Sequence, residues 1–170
     1  ERFKRRLQAQ VIGKDVRVSA FSSREAPGVI QTDLLLFDRV VDNLLTNAAR
    51  YTESGSVLVE LEGSSSSLVL KVCDTGPGLS VDELRHVFKP GQTGRLRTED
   101  SHGLGLSIVV TLLDQIGGRL EVLSRPGMGT TFWAHFPITP KPPAPKSSRQ
   151  PRETAEEVIG RVVTFRAAGE

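Results

Sequence analysis

The sequence contains little cysteine, few aromatic residues and little net charge. Its single cysteine, Cys73, excludes an intrachain disulfide and a multi-cysteine zinc site. Because Cys73 ends the apolar run 68–73, we expect a small buried hydrophobe rather than a reactive thiol. Aromatic residues make up only 5% of the chain, and 22 basic residues are balanced by 20 acidic ones. These values argue against a base-stacking or strongly basic surface, and hence against nucleic-acid binding.

Long apolar runs are also absent, so the sequence shows neither a transmembrane span nor a signal peptide. A chain of 170 residues with 38% hydrophobic composition suits one globular domain with tails. It begins at Glu1 rather than at a methionine. We therefore expect a cytoplasmic piece of a longer protein, whose membrane anchor, if it has one, would lie elsewhere and make no contact through this piece.

The pattern of apolar residues divides the chain into three parts. Residues 1–14 are expected to be a linker or the end of an upstream helix, and residues 15–137 an ordered α/β domain. Residues 138–170 begin with a proline-rich basic stretch, which favours a disordered tail or linker. At 153–168 the pattern allows a marginal helix or strand. Within the domain we predict helices at 33–51, 80–88 and 103–116, and strands at 16–21, 56–62, 67–73, 119–124 and 130–136.

The predicted helix 33–51 carries a polar group beside its apolar stripe. Asn43, Asn47 and Arg50 fall together on the helical wheel. Solvated polar residues on a helix are the ordinary interpretation of such a set. Asn is a mediocre helix former, however, and an Asn carbonyl oxygen can hold Mg²⁺ while phosphate oxygens and waters fill the other coordination positions.

Two glycine-containing loops are candidate nucleotide contacts. Asp74-Thr-Gly-Pro-Gly78 follows a strand, where a carboxylate could accept a hydrogen bond from an exocyclic amine, and where Gly76 and Gly78 could let the backbone approach a flat ring. The run 101–107 leads into a helix, whose N-terminal N–H groups favour an anion such as phosphate. Taken alone, the motif at 74–78 could be an ordinary turn, and the run 101–107 could be an ordinary glycine-containing loop before a helix.

Taken together and in order, these motifs resemble the GHKL, or Bergerat-fold, ATP-binding superfamily. The match spans residues 33–136. Asn43-Leu-Leu-Thr-Asn-Ala-Ala-Arg-Tyr-Thr52 resembles the N box of bacterial-type sensor histidine kinases, and Asp74-Thr-Gly-Pro-Gly78 and Gly103-Leu-Gly-Leu106 resemble the two glycine boxes. Val87-Phe88-Lys-Pro90 is similar to the F box, although its usual second aromatic residue is absent. The resemblance implies a two-layer α/β sandwich, with a mixed sheet covered by helices on one face.

The resemblance also implies roles for individual residues. Asn47 would bind Mg²⁺ with Asn43 nearby, and Asp74, supported by Thr130, would receive the adenine amino group. Tyr51 would lie against the adenine, and Arg50 would reach the phosphates. Residues 89–102 would form the lid over ATP. The expected ATP-binding residues are Asn43, Asn47, Arg50, Tyr51, Asp74, Gly76, Gly78, Gly103, Leu104, Gly105, Leu106 and Thr130, with Lys89, Arg95, Arg97 and His102 as candidate lid contacts or solvated loop residues.

The position of Asn43 distinguishes between branches of the superfamily. The ATPase branches place a glutamate there as the general base, and an amide cannot take a proton. A neutral imidazole already has a nucleophilic lone pair, so the site favours transfer of the γ-phosphate to histidine. None of His86, His102 and His135 lies in an upstream helix with an acidic neighbour, as the phosphoacceptor of the family does. We therefore expect partners: the histidine-bearing dimerisation helices of the parent kinase, and a downstream response regulator. A degenerate nucleotide-binding module and an ATPase fragment are the alternatives.

Overall fold

The structure is a computed structural model. It describes residues 2–24, 26–27, 30–63, 67–88, 105–138, 156–159 and 162–165.

Among the described residues there are four helices, and capping side chains begin two of them. They are α1 (Arg2–Gln10), α2 (Leu34–Tyr51), α3 (Val81–Val87) and α4 (Gly105–Gln115). Asp33 caps α2 by accepting hydrogen bonds from the backbone N–H groups of Leu35 and Leu36, at 2.9 and 3.1 Å. Ser80 and Glu83 form the predicted capping box of α3, since each side chain accepts a hydrogen bond from the other residue's backbone N–H. The predicted helix starts therefore follow from the local sequence.

In the part of the chain that the structure describes, seven strands form one mixed sheet in the order β1-β2-β3-β5-β4-β7-β6. β1 and β2 are parallel, and the other neighbouring pairs are antiparallel. The strands are β1 (Asp15–Ser22), β2 (Ser54–Gly63), β3 (Ser67–Asp74), β4 (Arg119–Ser124), β5 (Thr130–Pro137), β6 (Glu156–Ile159) and β7 (Val162–Phe165).

The last two strands fall within the stretch 138–170, for which the sequence favours a disordered tail. There the backbone forms a short antiparallel pair that joins the sheet beside β4. Both strands come after the proline-rich stretch and are rich in Val, Ile and Thr, which favour extended pairing. The pattern at 153–168 allows a helix or a strand, and the structure has two strands there.

The core lies between one face of the sheet and the helices. Alternate residues of β3 and β5 are buried, and the register places them side by side, as with Leu70 opposite Ala134 and Val72 opposite Phe132. α2 contacts β3 and α4, and α4 contacts β4 and β5. The predicted two-layer sandwich with helices on one face is confirmed. Its fully buried side chains include Val40, Val41, Leu44, Leu45, Val57, Leu70, Val72, Leu113 and Phe136.

Helix α1 packs against α2 and belongs to the same core. Leu7 is fully buried, and Arg2 pairs with Asp38 of α2 at 2.8 Å. The packed unit therefore begins before the boundary at residue 15 that the sequence predicts. In the part of the chain that the structure describes, no helix combines the length and apolar character needed to cross a membrane.

Candidate functional site

Several polar residues predicted from the sequence meet at one end of the sheet. β3 ends at Asp74, whose partner in the strand pairing is Thr130, the first residue of β5. The loop after β3 passes the last turn of α2, because a Cβ atom placed on Gly76 would lie 2.9 Å from the Tyr51 carbonyl oxygen. The structure thus places Asp74, Gly76, Tyr51 and Thr130 together, although they are far apart in the sequence.

Asp74 is a carboxylate buried at the edge of the core, with only 6% of its surface exposed. Its Oδ1 atom accepts a hydrogen bond from the Gly76 backbone N–H at 2.9 Å. Desolvation raises the pKa of Asp74, and backbone hydrogen bonds from Gly76 and Thr130 partly offset this rise. A buried hydrogen-bond acceptor of this kind can recognise a donor such as an exocyclic amine.

Two glycines of this region, Gly78 and Gly129, are required because a side chain at either position would collide with the protein backbone. A Cβ atom on Gly78, which has φ 65°, would lie 1.9 Å from the Arg125 carbonyl oxygen. On Gly129, with φ 82°, it would lie 1.9 Å from the Asp74 carbonyl oxygen. The sequence suggests that Gly76 and Gly78 let a flat ring approach. In the structure, the close contact at Gly78 is with the β4–β5 turn, and the close contacts at Gly76 are with Asp74 and Tyr51.

The amide pair on α2 has a different environment at each position. Asn43 donates from Nδ2 to the carbonyl oxygen of Arg39 at 2.8 Å, one turn back in its own helix. The Nδ2 atom of Asn47 is buried and has no hydrogen-bond partner among the described residues. Such a buried polar atom is costly unless a ligand or water satisfies it. Amide oxygen and nitrogen can be interchanged by rotation, so the same side chain could offer its oxygen to a cation.

The residues at this end of the sheet fit a divalent cation held mostly by its nucleotide. Among the described residues, no group of three or more His, Cys, Asp or Glu side chains is suited to hold a metal. Asn47 would supply one neutral oxygen, and phosphate oxygens and waters would fill the remaining positions, as Mg²⁺ prefers. The half-buried Arg50, one turn along α2, adds a positive charge on the same side.

Sequence reasoning missed two positioning residues. Ser124, the last residue of β4, accepts a hydrogen bond from the Leu79 backbone N–H at 2.8 Å and lies 2.8 Å from Thr130 Oγ1. The only feature of the sequence that could have indicated Ser124 is its position at the end of a predicted strand, opposite Thr130. Lys14 donates from Nζ to the carbonyl oxygens of Ala49 and Arg50 at 2.9 and 3.1 Å. Nothing in the sequence around Lys14 indicates this long-range contact.

The remaining predicted residues are only partly covered by the structure. The lid 89–102 with Lys89, Arg95, Arg97 and His102 lies outside the described residues, as do Gly103 and Leu104. Gly105 is the first residue of α4, and Leu106 packs against the core. The contact of these backbone N–H groups with phosphate therefore stays a prediction.

A family model matches most of the described domain. Residues 32–140 match the model of histidine kinase-, DNA gyrase B- and HSP90-like ATPases. The chain belongs to this family. The matched range begins just before α2 and extends just past β5, so it includes the N-box helix, both glycine boxes and Thr130.

Individual relatives are sensor kinases. The autoinducer 2 sensor kinase/phosphatase LuxQ of Vibrio cholerae is 34% identical over 142 residues, which is 78% of this chain and 17% of that protein. The sensor histidine kinase RcsC of Escherichia coli is 30% identical over 131 residues, covering 75% of this chain and 14% of that protein. The chain therefore corresponds to less than a fifth of the length of these relatives.

Solved structures agree with the sequence relatives. The mycobacterial sensor histidine kinase MprB has a TM-score of 0.66 and 26% identity, covering 82% of this chain and 93% of that chain. Full-length ShkA, solved in complex with AMPPNP, has a TM-score of 0.69 and 27% identity, covering 82% of this chain and 29% of that chain. The predicted resemblance to the catalytic domain of sensor histidine kinases is confirmed.

Proposed function

We propose that this domain binds Mg·ATP and delivers its γ-phosphate to a histidine on a separate dimerisation domain of the same parent kinase. The observation that carries the proposal is a pair of buried polar side chains in one ATPase-family fold. One is the buried acceptor Asp74, and the other is the buried Asn47 amide that no described residue satisfies. The carboxylate of Asp74 can accept a further hydrogen bond from a nucleotide base, and the metal ion of the nucleotide would give the Asn47 amide a partner.

The base would be recognised at the end of β3. The Asp74 carboxylate would accept a hydrogen bond from the adenine 6-amino group, with Thr130 beside it. Tyr51 is half-buried at the end of α2 and would lie against the ring. Gly76 and Gly78 would act indirectly, because they allow the backbone packing that holds Asp74 in place.

The phosphates would extend along α2 towards the start of α4. Asn47 would hold Mg²⁺ with Asn43 close by, and Arg50 would offset phosphate charge. Backbone N–H groups at Gly103, Leu104, Gly105 and Leu106 would bind phosphate oxygens, helped by the dipole of α4. Lys89, Arg95, Arg97 and His102 are the candidate contacts from the lid. Mg²⁺ would neutralise charge on the β- and γ-phosphates during transfer.

Histidine is the nucleophile that this site favours. The lone pair of an imidazole nitrogen would form the new bond to the γ-phosphorus while the bond to the β–γ bridging oxygen breaks and ADP leaves. The attacking nitrogen would need no general base beforehand. Water would need one, and Asn43 stands where the ATPase branches have a carboxylate. Positioning and charge neutralisation then supply most of the rate.

Two other functions remain as alternatives. A degenerate domain used only for docking would keep the fold without binding nucleotide. An ATPase fragment would release phosphate to water, which the amide at Asn43 disfavours. We place the proposed activity in the cytoplasm, where ATP is available and where the phosphohistidine would pass its phosphoryl group to a response regulator.

One experiment separates the three functions. Calorimetry with Mg·ATP tests binding, and γ-labelled ATP is then incubated with the domain, alone and with a dimerisation domain carrying an acceptor histidine. The proposal predicts binding, no labelling of the domain alone, and acid-labile label on the added domain. Absence of binding would indicate a docking module, and rapid release of free phosphate without the acceptor would indicate an ATPase.

A further inference from the structure

Ser124 connects the end of β4 to two other segments around the proposed adenine site. Its Oγ accepts a hydrogen bond from the Leu79 backbone N–H at 2.8 Å. It lies 3.1 Å from the carbonyl oxygen of Gly129 and 2.8 Å from the hydroxyl of Thr130. Because Thr130 is the strand partner of Asp74, the two side chains stand next to each other on the helix-covered face of the sheet.

The number of protons available decides which hydroxyl donates. Ser124 has one proton and two lone pairs. If it donates to the Gly129 carbonyl oxygen, then one lone pair serves the Leu79 N–H and the other accepts from Thr130. All three contacts are then hydrogen bonds. If Ser124 instead donated to Thr130, two acceptors, Ser124 Oγ and Gly129 O, would face each other at 3.1 Å. The first arrangement is therefore favoured.

In the favoured arrangement the Thr130 proton points at Ser124. The Thr130 hydroxyl then offers only lone pairs to a ligand, and an ionised Asp74 carboxylate likewise offers only acceptors. A 6-amino purine donates to such a surface, whereas a 6-oxo purine would place its carbonyl oxygen against acceptors. Leaving a buried acceptor without a donor is what makes recognition of this kind selective.

We propose that Ser124 is a specificity-determining residue, which holds the Thr130 proton away from the base and so makes the site select adenine over a 6-oxo purine. This proposal rests on the proposed nucleotide-binding function. It differs from a purely structural role, in which Ser124 would only fasten the β3–α3 loop through Leu79. A structural role affects all nucleotides alike, whereas control of the Thr130 proton changes the ratio between bases.

The test is a double-mutant cycle on binding of ATP and of inosine triphosphate, its 6-oxo counterpart, measured by calorimetry. In Ser124→Ala the released Thr130 proton can turn to the 6-oxo group. The ratio of the dissociation constant for inosine triphosphate to that for ATP should therefore fall by about three- to tenfold, which corresponds to one neutral hydrogen bond. In a Thr130→Val background, adding Ser124→Ala should leave the ratio unchanged, because no proton remains to be redirected.

Each result assigns the role of Ser124. An equal loss of affinity for both nucleotides in Ser124→Ala, or the same change of ratio in the Thr130→Val background, would overturn the specificity role. Ser124→Cys keeps the shape but accepts hydrogen bonds weakly, so it should shift the ratio in the same direction if Ser124→Ala does not fold. A wild-type domain that binds neither nucleotide would instead refute the proposed function. A wild type that binds ATP with a ratio insensitive to Ser124 would refute this inference alone.

Discussion

At the scale of single residues, Asp74 shows how burial prepares a recognition group. With 6% of its surface exposed, the carboxylate has lost most of its water, and desolvation raises its pKa above the ordinary value of an aspartate side chain. The folded state therefore holds the Asp74 proton more tightly than the unfolded chain. Ionisation of Asp74 therefore lowers the free energy of unfolding of the unliganded domain as pH rises from the unfolded pKa of this carboxyl to its folded pKa. A ligand donor would recover part of that loss.

The first prediction concerns Asp74 and adenosine, which needs no metal. Because the amino group favours the ionised carboxylate, wild-type affinity for adenosine should rise as pH rises from about 3.8 through the raised folded pKa. Asp74→Asn should bind adenosine about tenfold to a hundredfold more weakly at pH 7, the worth of a buried charge-assisted hydrogen bond.

Calorimetric titrations at a series of pH values check this prediction. The Asn variant is also its control, because it lacks the titrating carboxyl while the adenine ring's own protonation is common to both proteins. Equal affinities at pH 7, or the same pH profile in both proteins, would show that Asp74 does not bind the base.

The sequence motifs pointed to some residues that the structure brings together, whereas their roles stay predictions. Asp74 and Thr130, which the resemblance places in one site, are strand partners. The amide nitrogen of Asn47 is buried and has no partner among the described residues. Ser124 and Lys14 were missed because the contact of Ser124 with Leu79 spans 45 positions and that of Lys14 with Ala49 spans 35. Such contacts depend on the final strand pairing, which local pattern does not specify.

At the scale of elements, the β4–β5 turn links the sheet to the site. Gly127 and Gly129 both have positive φ, 74° and 82°. A Cβ atom on Gly127 would meet nothing within 4 Å, whereas one on Gly129 would lie 1.9 Å from the Asp74 carbonyl oxygen. The two glycines therefore share a backbone conformation but differ in what surrounds them.

This pair of glycines gives a matched prediction. Gly127→Ala should cost only the strain of the left-handed conformation, about 1–2 kcal/mol, and leave adenosine affinity unchanged. Gly129→Ala should cost at least about 3 kcal/mol, because the end of β3 must move away, and it should weaken adenosine binding as Asp74 shifts. Denaturant unfolding and calorimetry measure the two effects. Equal costs for the two variants would contradict the packing of the turn against β3.

Helix α2 is fixed at the end that carries Arg50 and Tyr51. Lys14 Nζ lies within hydrogen-bonding distance of the carbonyl oxygens of Ala49, Arg50 and Thr52, at 2.9–3.3 Å. The positive charge of Lys14 also interacts favourably with the negative end of the helix dipole. The segment before β1 thereby holds the part of α2 that lies against the glycine loop after β3.

At the scale of the whole molecule, no described helix packs on the second face of the sheet. That face includes a polar cluster on β4 and β5. His135 Nε2 lies 3.2 Å from Glu121 Oε1, and Glu121 also accepts from Arg119 at 3.1 Å. Burial, with the charge of Arg119 adding to it, lowers the pKa of His135, and Glu121 partly opposes this shift.

The lowered pKa of His135 predicts the acid response of the fold. The unfolded chain binds this proton more readily, so stability should fall as pH falls below about 6.5 through the folded pKa of His135. His135→Gln should reduce this loss, as thermal unfolding between pH 7 and pH 5 would measure. His86→Gln, on the exposed part of α3, is the matched control and should keep the wild-type slope. A wild-type slope in His135→Gln would contradict the assignment.

The sequence predicted the architecture well because its layers depend on strong local patterns. The stripe on α2 and the alternation in β3 and β5 require a single covered face, and the structure has it. The pattern could not place β6 and β7, because short strands inside a biased segment gain their pairing from an existing sheet edge. Nor could it show that α1 joins the core through Leu7, since that depends on how α1 sits on α2.

Transfer of the γ-phosphate through Mg²⁺ held by Asn47 is the central claim, and one measurement tests it directly. Labelled phosphate passing from ATP to a supplied dimerisation domain is followed for wild type, Asn47→Ala and Thr46→Ala, the last changing an exposed neighbour on α2. Alanine is the better helix former, so both variants should fold and bind adenosine. Transfer by Asn47→Ala should fall by at least about a hundredfold, since misplaced phosphate loses most of the rate, while Thr46→Ala transfers normally. Normal transfer by Asn47→Ala at limiting Mg²⁺ would contradict the account.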